Sequence, residues 1–190
     1  MSKLPALIAL AASGFVVSIA AAPVFGAQIP RKAPEFVFHM VGGPEQLLSS
    51  YKGKTIALAL MYTTCVHCQK IAGTLTKVQE EYKAKGVQVL GALFDDGAAS
   101  RAVEFHQKFG PNFPIGYSEK RAVLEFLGLP PDDPYFVPIL VFIDKRGMIR
   151  SQYIGDEAFL GQQEKNIRLE LDKMLASAPA VATKAAPKPQ

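Results

Sequence analysis

The two cysteines of this 190-residue chain stand at positions 65 and 68, with Val66 and His67 between them. They lie in Met61-Tyr62-Thr63-Thr64-Cys65-Val66-His67-Cys68-Gln69-Lys70, where an apolar, strand-like run from Thr55 to Met61 gives way to a helix-like run. This placement puts Cys65 at a helix start, where unpaired N–H groups and about half a positive charge favour a thiolate. Cys68, one turn on, is placed to attack a mixed disulfide formed on Cys65. The chemistry implied is exchange of electrons with a partner's thiols or disulfide, followed by self-release. Cys65 and Cys68 are therefore the candidate catalytic residues.

The same spacing is half of a zinc site, but the remaining ligands would have to come from His39, His106 or carboxylates, and no spaced pair supplies them. No metal and no cofactor are expected. One alternative from a different class is a module in which Cys65, His67 and Cys68 capture a soft ion such as Cu(I) without turnover. A purely structural disulfide is a poor use of the pair, because so short a loop removes little chain entropy.

Leu4 to Ala27 carries no charge, follows Lys3 and ends in small residues, which reads as an export signal over residues 1–27. About 20 apolar residues also span a bilayer, so residues 4–27 would alternatively stay as a membrane anchor. Either way the domain is expected outside the cytoplasm, in the periplasm or an equivalent space where disulfides persist. The net charge of +4 is modest and no basic block is interleaved with aromatics, so no nucleic-acid partner is expected.

With 49% apolar and 20% charged residues the chain can bury an ordinary core. Residues 28–34 read as a lead-in, 35–175 as one domain, and the Ala/Pro/Lys-rich 176–190 as a disordered tail. Within the domain, 35–40 is predicted to be a first strand, 47–51 a helical turn and 55–61 a buried strand. A helix follows over 66–85, with Ile71, Leu75, Val78 and Tyr82 recurring at helical spacing and Gly86 as its stop. A strand over 87–94 and a helix over 99–109 come next, the helix with Val103, Phe105, Phe109 and His106 as inward candidates. Residues 113–117 and 119–127 form a strand-helix insert. Then 139–144 and 148–154 make a hairpin, and a last helix starts at Asp156 with Leu160, Ile167, Leu171 and Met174 as its buried stripe. Strands alternating with helices imply an α/β fold: a central mixed sheet with helices on both faces.

Gly53-Lys54 leading into an apolar strand, Cys65-Val66-His67-Cys68 opening a helix, and Val137-Pro138-Ile139-Leu140-Val141-Phe142-Ile143-Asp144 followed by Gly147 together resemble the TlpA/ResA-like thiol-disulfide oxidoreductases of the thioredoxin superfamily. The likeness runs from about Pro34 to Leu175 and includes the insert. It implies a thioredoxin-like fold in which Pro138 is a cis-proline beside the cysteines, and in which Val137 and Pro138 hold the substrate backbone. The partners it implies are protein thiols and disulfides and a membrane-linked electron donor or acceptor, for a protein expected to be a monomer.

The chain departs from that pattern at the site. Thr64 stands where Trp usually precedes the first cysteine, and Met61 where a second Trp is common; the chain has no Trp at all. Ala59 and Ile71 occupy the places of the family's two carboxylates, which leaves Cys68 without its usual proton partner. His67 precedes the second cysteine as in the DsbA type, so Thr64 and His67 are read as redox-tuning residues. Tyr135 and Phe136 are candidates for an apolar docking lip. A second enzyme reading is a peroxiredoxin-like peroxide reductase, but Tyr62 stands where that chemistry has a Thr three residues before its cysteine.

Overall fold

The computed structural model describes residues 27–177. The export segment expected over 1–27 and the tail expected over 176–190 therefore fall, apart from Ala27, Ala176 and Ser177, outside the described residues. Among the described residues no helix is long and apolar enough to cross a membrane.

In chain order the strands and helices are β1 (Arg31–Lys32), β2 (Val37–Phe38), β3 (Gln46–Leu47), β4 (Thr55–Met61), α1 (Val66–Tyr82), β5 (Val87–Leu93), α2 (Ala98–Phe109), β6 (Ile115–Tyr117), α3 (Lys120–Leu127), β7 (Ile139–Ile143), β8 (Met148–Ile154), α4 (Glu157–Gly161) and α5 (Gln163–Ala176). Six strands form one mixed sheet in the order β1-β8-β7-β4-β5-β6, and β2 and β3 pair separately. β4 runs parallel to β5 and antiparallel to β7.

β4 is buried along its whole length because helices cover both faces of the sheet, which is why its sequence reads as an unbroken apolar run. Its side chains still alternate. Ala57, Ala59 and Met61 join the core under α1, α2 and α5, whereas Ile56, Leu58 and Leu60 join the core under Phe36, Phe38 and α3. Burying each such Leu or Ile is worth roughly 1.5–3 kcal/mol. α1 gives way to a 3₁₀ turn over Lys83–Lys85, and Gly86, at φ 83°, supplies the left-handed residue that lets the chain reverse into β5.

The structure departs from the sequence reading in four places. Arg31–Lys32, read as lead-in, adds an edge strand to β8, with Arg31 donating to the Phe126 carbonyl at 2.7 Å. The strand predicted over 35–40 shrinks to β2, which pairs with β3, and a single bridge from His39 to Tyr117 ties it to the main sheet. In α2 the inward face is Ala98, Ala102 and Phe105, with Phe109 packed at its margin, while Val103 and His106 are exposed. The last helix breaks at Gln162, whose backbone is not helical, and Phe159 rather than Leu160 is the buried residue of the short first piece. Phe159 stacks on Tyr153 at 3.8 Å between ring centroids, and Asp156 caps α4 by accepting the Phe159 N–H at 2.9 Å.

Gly116 in β6 is where the 36–40 segment crosses the sheet edge. A Cβ there would lie 2.9 Å from the His39 carbonyl oxygen and 3.2 Å from the Phe38 Cβ, atoms that cannot swing aside. Gly116→Ala should therefore destabilise the protein by about 1–3 kcal/mol, read as a lower urea midpoint with unchanged slope.

Candidate active site

Cys65 is the N-cap of α1, with extended backbone at φ −79° and ψ 118°, and its sulfur accepts the Cys68 N–H at 3.3 Å. A thiol here does what Ser or Asp does at other helix starts: it satisfies one of the free amides of the first turn. Cys65 is half-buried, and Cys68 is 0% exposed and part of the core under α1. The Tyr62 N–H points at the Cys68 sulfur from 3.5 Å. Burial, and after it the hydrogen bond to Cys65, pushes the Cys68 thiol far above the ordinary thiol range, while the Tyr62 amide works in the opposite direction. The two sulfurs are thus unequal: one can be reached from outside, and the other is closed off in the core.

The loop before β7 closes the site from the opposite side. The Val137–Pro138 peptide bond is cis, and the Cys65 sulfur lies 3.8 Å from the Val137 carbonyl oxygen. Pro138 is buried and Val137 half-buried. The structure thus brings Cys65, Cys68, Val137 and Pro138 together.

Thr64 and His67 are both exposed beside Cys65, as is Val66 at 72%. Thr64 lines a shallow cleft of about 160 Å³ shared with Gln69, Arg101, Phe105 and Lys108. A larger cleft of about 390 Å³, lined by Lys32, Tyr51, Lys52 and Arg146, lies at the other end of β4 and touches neither sulfur. The pair proposed as an apolar lip divides. Phe136 is 72% exposed, but Tyr135 is half-buried, its hydroxyl 2.6 Å from that of Tyr62. Among the described residues no group of three or more His, Cys, Asp or Glu is arranged to hold a metal ion.

Ala59 and Ile71 are fully buried, so no carboxylate approaches Cys68 from the positions they occupy. A carboxylate does sit beside the turn that precedes the cysteines. Asp95, just past β5, accepts the Thr63 N–H at 2.8 Å and the Thr63 hydroxyl at 2.5 Å, and Arg101 of α2 pairs with the same carboxylate at 2.5 Å. Arg101 Nε also donates to the Thr63 hydroxyl oxygen at 2.8 Å, and the Gln69 side-chain amide donates to the Thr63 carbonyl at 3.0 Å. Burial acts to raise the Asp95 carboxyl, but the bonds from Thr63 and Arg101 outweigh it and hold the group below the usual aspartate range. The sequence reading missed Asp95, Arg101 and the contacts of Tyr62 with Cys68 and Tyr135. A signal for Asp95 existed: it is an acid at the C-terminal end of the strand parallel to the one carrying the cysteines, the edge where α/β sheets gather their functional groups.

The model of the AhpC/TSA family matches residues 29–152. The chain is similar to the thiol-disulfide oxidoreductase ResA of Geobacillus kaustophilus, at 31% identity over 65% of this chain and 67% of that protein. It is similar to the protein of the same name from Bacillus anthracis at 29% identity, over 68% of this chain and 72% of that one. Among solved structures, a thioredoxin-family thiol:disulfide interchange protein from Chlorobium tepidum superposes with a TM-score of 0.62 at 19% identity, covering 76% of this chain and 99% of that one. A thiol:disulfide interchange protein from Bacteroides sp. gives 0.63 at 17% identity, covering 81% and 94%. These structural likenesses establish the thioredoxin-like fold.

The unequal burial of the two sulfurs has a direct readout. Brief treatment of the reduced, folded protein with iodoacetamide should add one label, located on Cys65 by mass spectrometry, with the second label appearing only in denaturant. Equal labelling of both cysteines in the folded protein would contradict the burial of Cys68.

Proposed function

As a member of the AhpC/TSA family and a thiol-disulfide oxidoreductase, the chain exchanges disulfide bonds, and we propose that Cys65 is the sulfur that meets the substrate and Cys68 the one that releases it. The observation that carries this reading is the arrangement of the N-cap: a reachable Cys65 sulfur held on the Cys68 amide, with Cys68 fully buried behind it. In the reducing direction the Cys65 thiolate attacks a substrate disulfide, joining one substrate sulfur to Cys65 and expelling the other as a thiolate. Cys68 then loses its proton and attacks Cys65. The Cys65–Cys68 disulfide forms and the second substrate sulfur leaves with its electron pair. The oxidising direction is the same sequence reversed.

Val137 and Pro138 are assigned to the substrate. The Val137 carbonyl lies beside the reactive sulfur, so an extended peptide that bonded to this backbone would bring its own sulfur to Cys65. Phe136 and Val66, both 72% exposed, flank that line and supply apolar surface for the residues next to the substrate cysteine. Thr64 and His67 are assigned to tuning the pair, since they are the chain neighbours of the two sulfurs on the solvent side. The substrates proposed are protein thiols and disulfides outside the cytoplasm, where the export segment at 1–27 delivers the domain, with a membrane-linked partner restoring the active redox state.

Catalysed reduction of insulin by dithiothreitol tests the reading. Wild-type protein should turn over, and should still do so with a chelator present. Cys65→Ser should abolish turnover, whereas Cys68→Ser should accumulate a mixed disulfide through Cys65. Efficient peroxide consumption without disulfide exchange would overturn the assignment. The direction of flow follows from the reduction potential of the pair: about −270 mV marks a reductant and about −120 mV an oxidant. His67→Pro should shift that potential downward, and an unchanged value would remove His67 from the tuning role.

A further inference from the structure

Thr63, two residues before Cys65, has its N–H, its hydroxyl and its carbonyl all engaged, the first two by Asp95 and Arg101 and the last by Gln69. The Asp95 side chain is only 9% exposed. A loop pinned on so many sides would be unremarkable away from the chemistry, but the amide of the adjoining Tyr62 is the one that faces the Cys68 sulfur. That amide shares its peptide with the Met61 carbonyl, which accepts the Phe94 N–H at 3.1 Å, and the Thr63 network holds the turn that leads on from it to Cys65. Asp95 further places a negative charge where it opposes ionisation of Cys68, after the larger effects of burial and of Cys65. Arg101 is the charge that answers it.

We propose that Asp95 and Arg101 are positioning residues of the release step: they fix Thr63 in the turn between the Tyr62 amide and Cys65, and in that fixed turn Arg101 offsets the charge with which Asp95 opposes the loss of the Cys68 proton before attack. The inference rests on the assignment of Cys68 as the releasing sulfur. In the step itself the Cys68 thiol gives its proton to water, and its electron pair forms the bond to Cys65. The Cys65–substrate bond breaks, and the substrate sulfur departs as a thiolate. No other oxidant or reductant is needed. Where a substitution removes the charge but keeps a hydrogen-bond partner for Thr63, the two residues act on this step in opposite senses, because Asp95 opposes the charged form of Cys68 and Arg101 offsets Asp95.

The fully reduced protein is mixed with Ellman's reagent, and release of thionitrobenzoate is followed by stopped flow across pH. The first release is attack by Cys65, and the second is its displacement by Cys68. Arg101→Gln should slow the second phase about tenfold, the equivalent of one pK unit at Cys68. Arg101→Lys, which keeps the charge, should stay within about twofold of wild type. Asp95→Asn, which keeps an acceptor for Thr63 but removes the charge, should accelerate the second phase several-fold. Equal slowing in all three variants would make the network a clamp alone, with no charge effect on Cys68, and overturn the proposal, as would no change in any. If Asp95→Asn does not fold, the contrast between Arg101→Gln and Arg101→Lys makes the same decision. Absence of a second phase in the wild type would instead overturn the parent assignment of Cys68.

Discussion

Cys68 is sealed in the core one helical turn from a sulfur that solvent reaches, and the rest of the structure is arranged around that inequality. A buried thiol resists ionisation because its charged form has lost water, so it does not compete for substrate or for adventitious oxidants. In the role proposed for it, Cys68 acts only when a mixed disulfide is already within reach. The cost is that the second step needs a charged sulfur in the least hospitable place, and the surrounding groups have to make that possible without opening the core.

β4 creates both halves of this situation. Its pairing with β5 on one side and β7 on the other makes it central to the sheet, and its last residue, Met61, is fully buried. The turn at Tyr62–Cys65 therefore starts from inside the protein and reaches the surface within a few residues. α1 begins at the point of emergence, with Cys65 capping it and Cys68 facing back into the core. The β7 loop meets the same turn through Val137, so the half-buried Cys65 sulfur is framed by two segments that β4 itself holds in register.

Much of this was legible in the sequence because it rests on periodicity. β4, β5, α1 and the β7–β8 hairpin follow from apolar runs, helical spacing and Gly turns, and the two cysteines announce their own location. What was hidden depends on contacts between distant segments. β1 has only Arg31 and Lys32, residues with no strand signature, and forms because β8 offers a free edge. In α2 the apolar Val103 was a natural core candidate, but Ala98 and Ala102 lie inside instead. Small residues let a helix approach the sheet closely, and hydrophobicity does not rank them above valine. The final helix breaks at Gln162, and in its short first piece Phe159 stacks on Tyr153, a partner supplied by β8.

The site acids show the same limit more sharply. Counting positions from the cysteines finds Ala59 and Ile71, and so an apparent lack of carboxylate. The two-residue alternation of β4, however, does not stop at its last strand residue. Met61 faces the core under α1, Tyr62 turns to the opposite core and meets Tyr135, and Thr63 turns back toward α2, where Asp95 and Arg101 hold it. A strand that continues to alternate as it leaves the sheet presents its backbone and side chains to both layers in turn. Each layer then contributes one clasp to the turn before the reactive sulfur: a phenol pair on one side and an ion pair on the other. A carboxylate just past the neighbouring strand thereby holds the turn before the cysteines without occupying either position where sequence spacing would look for it.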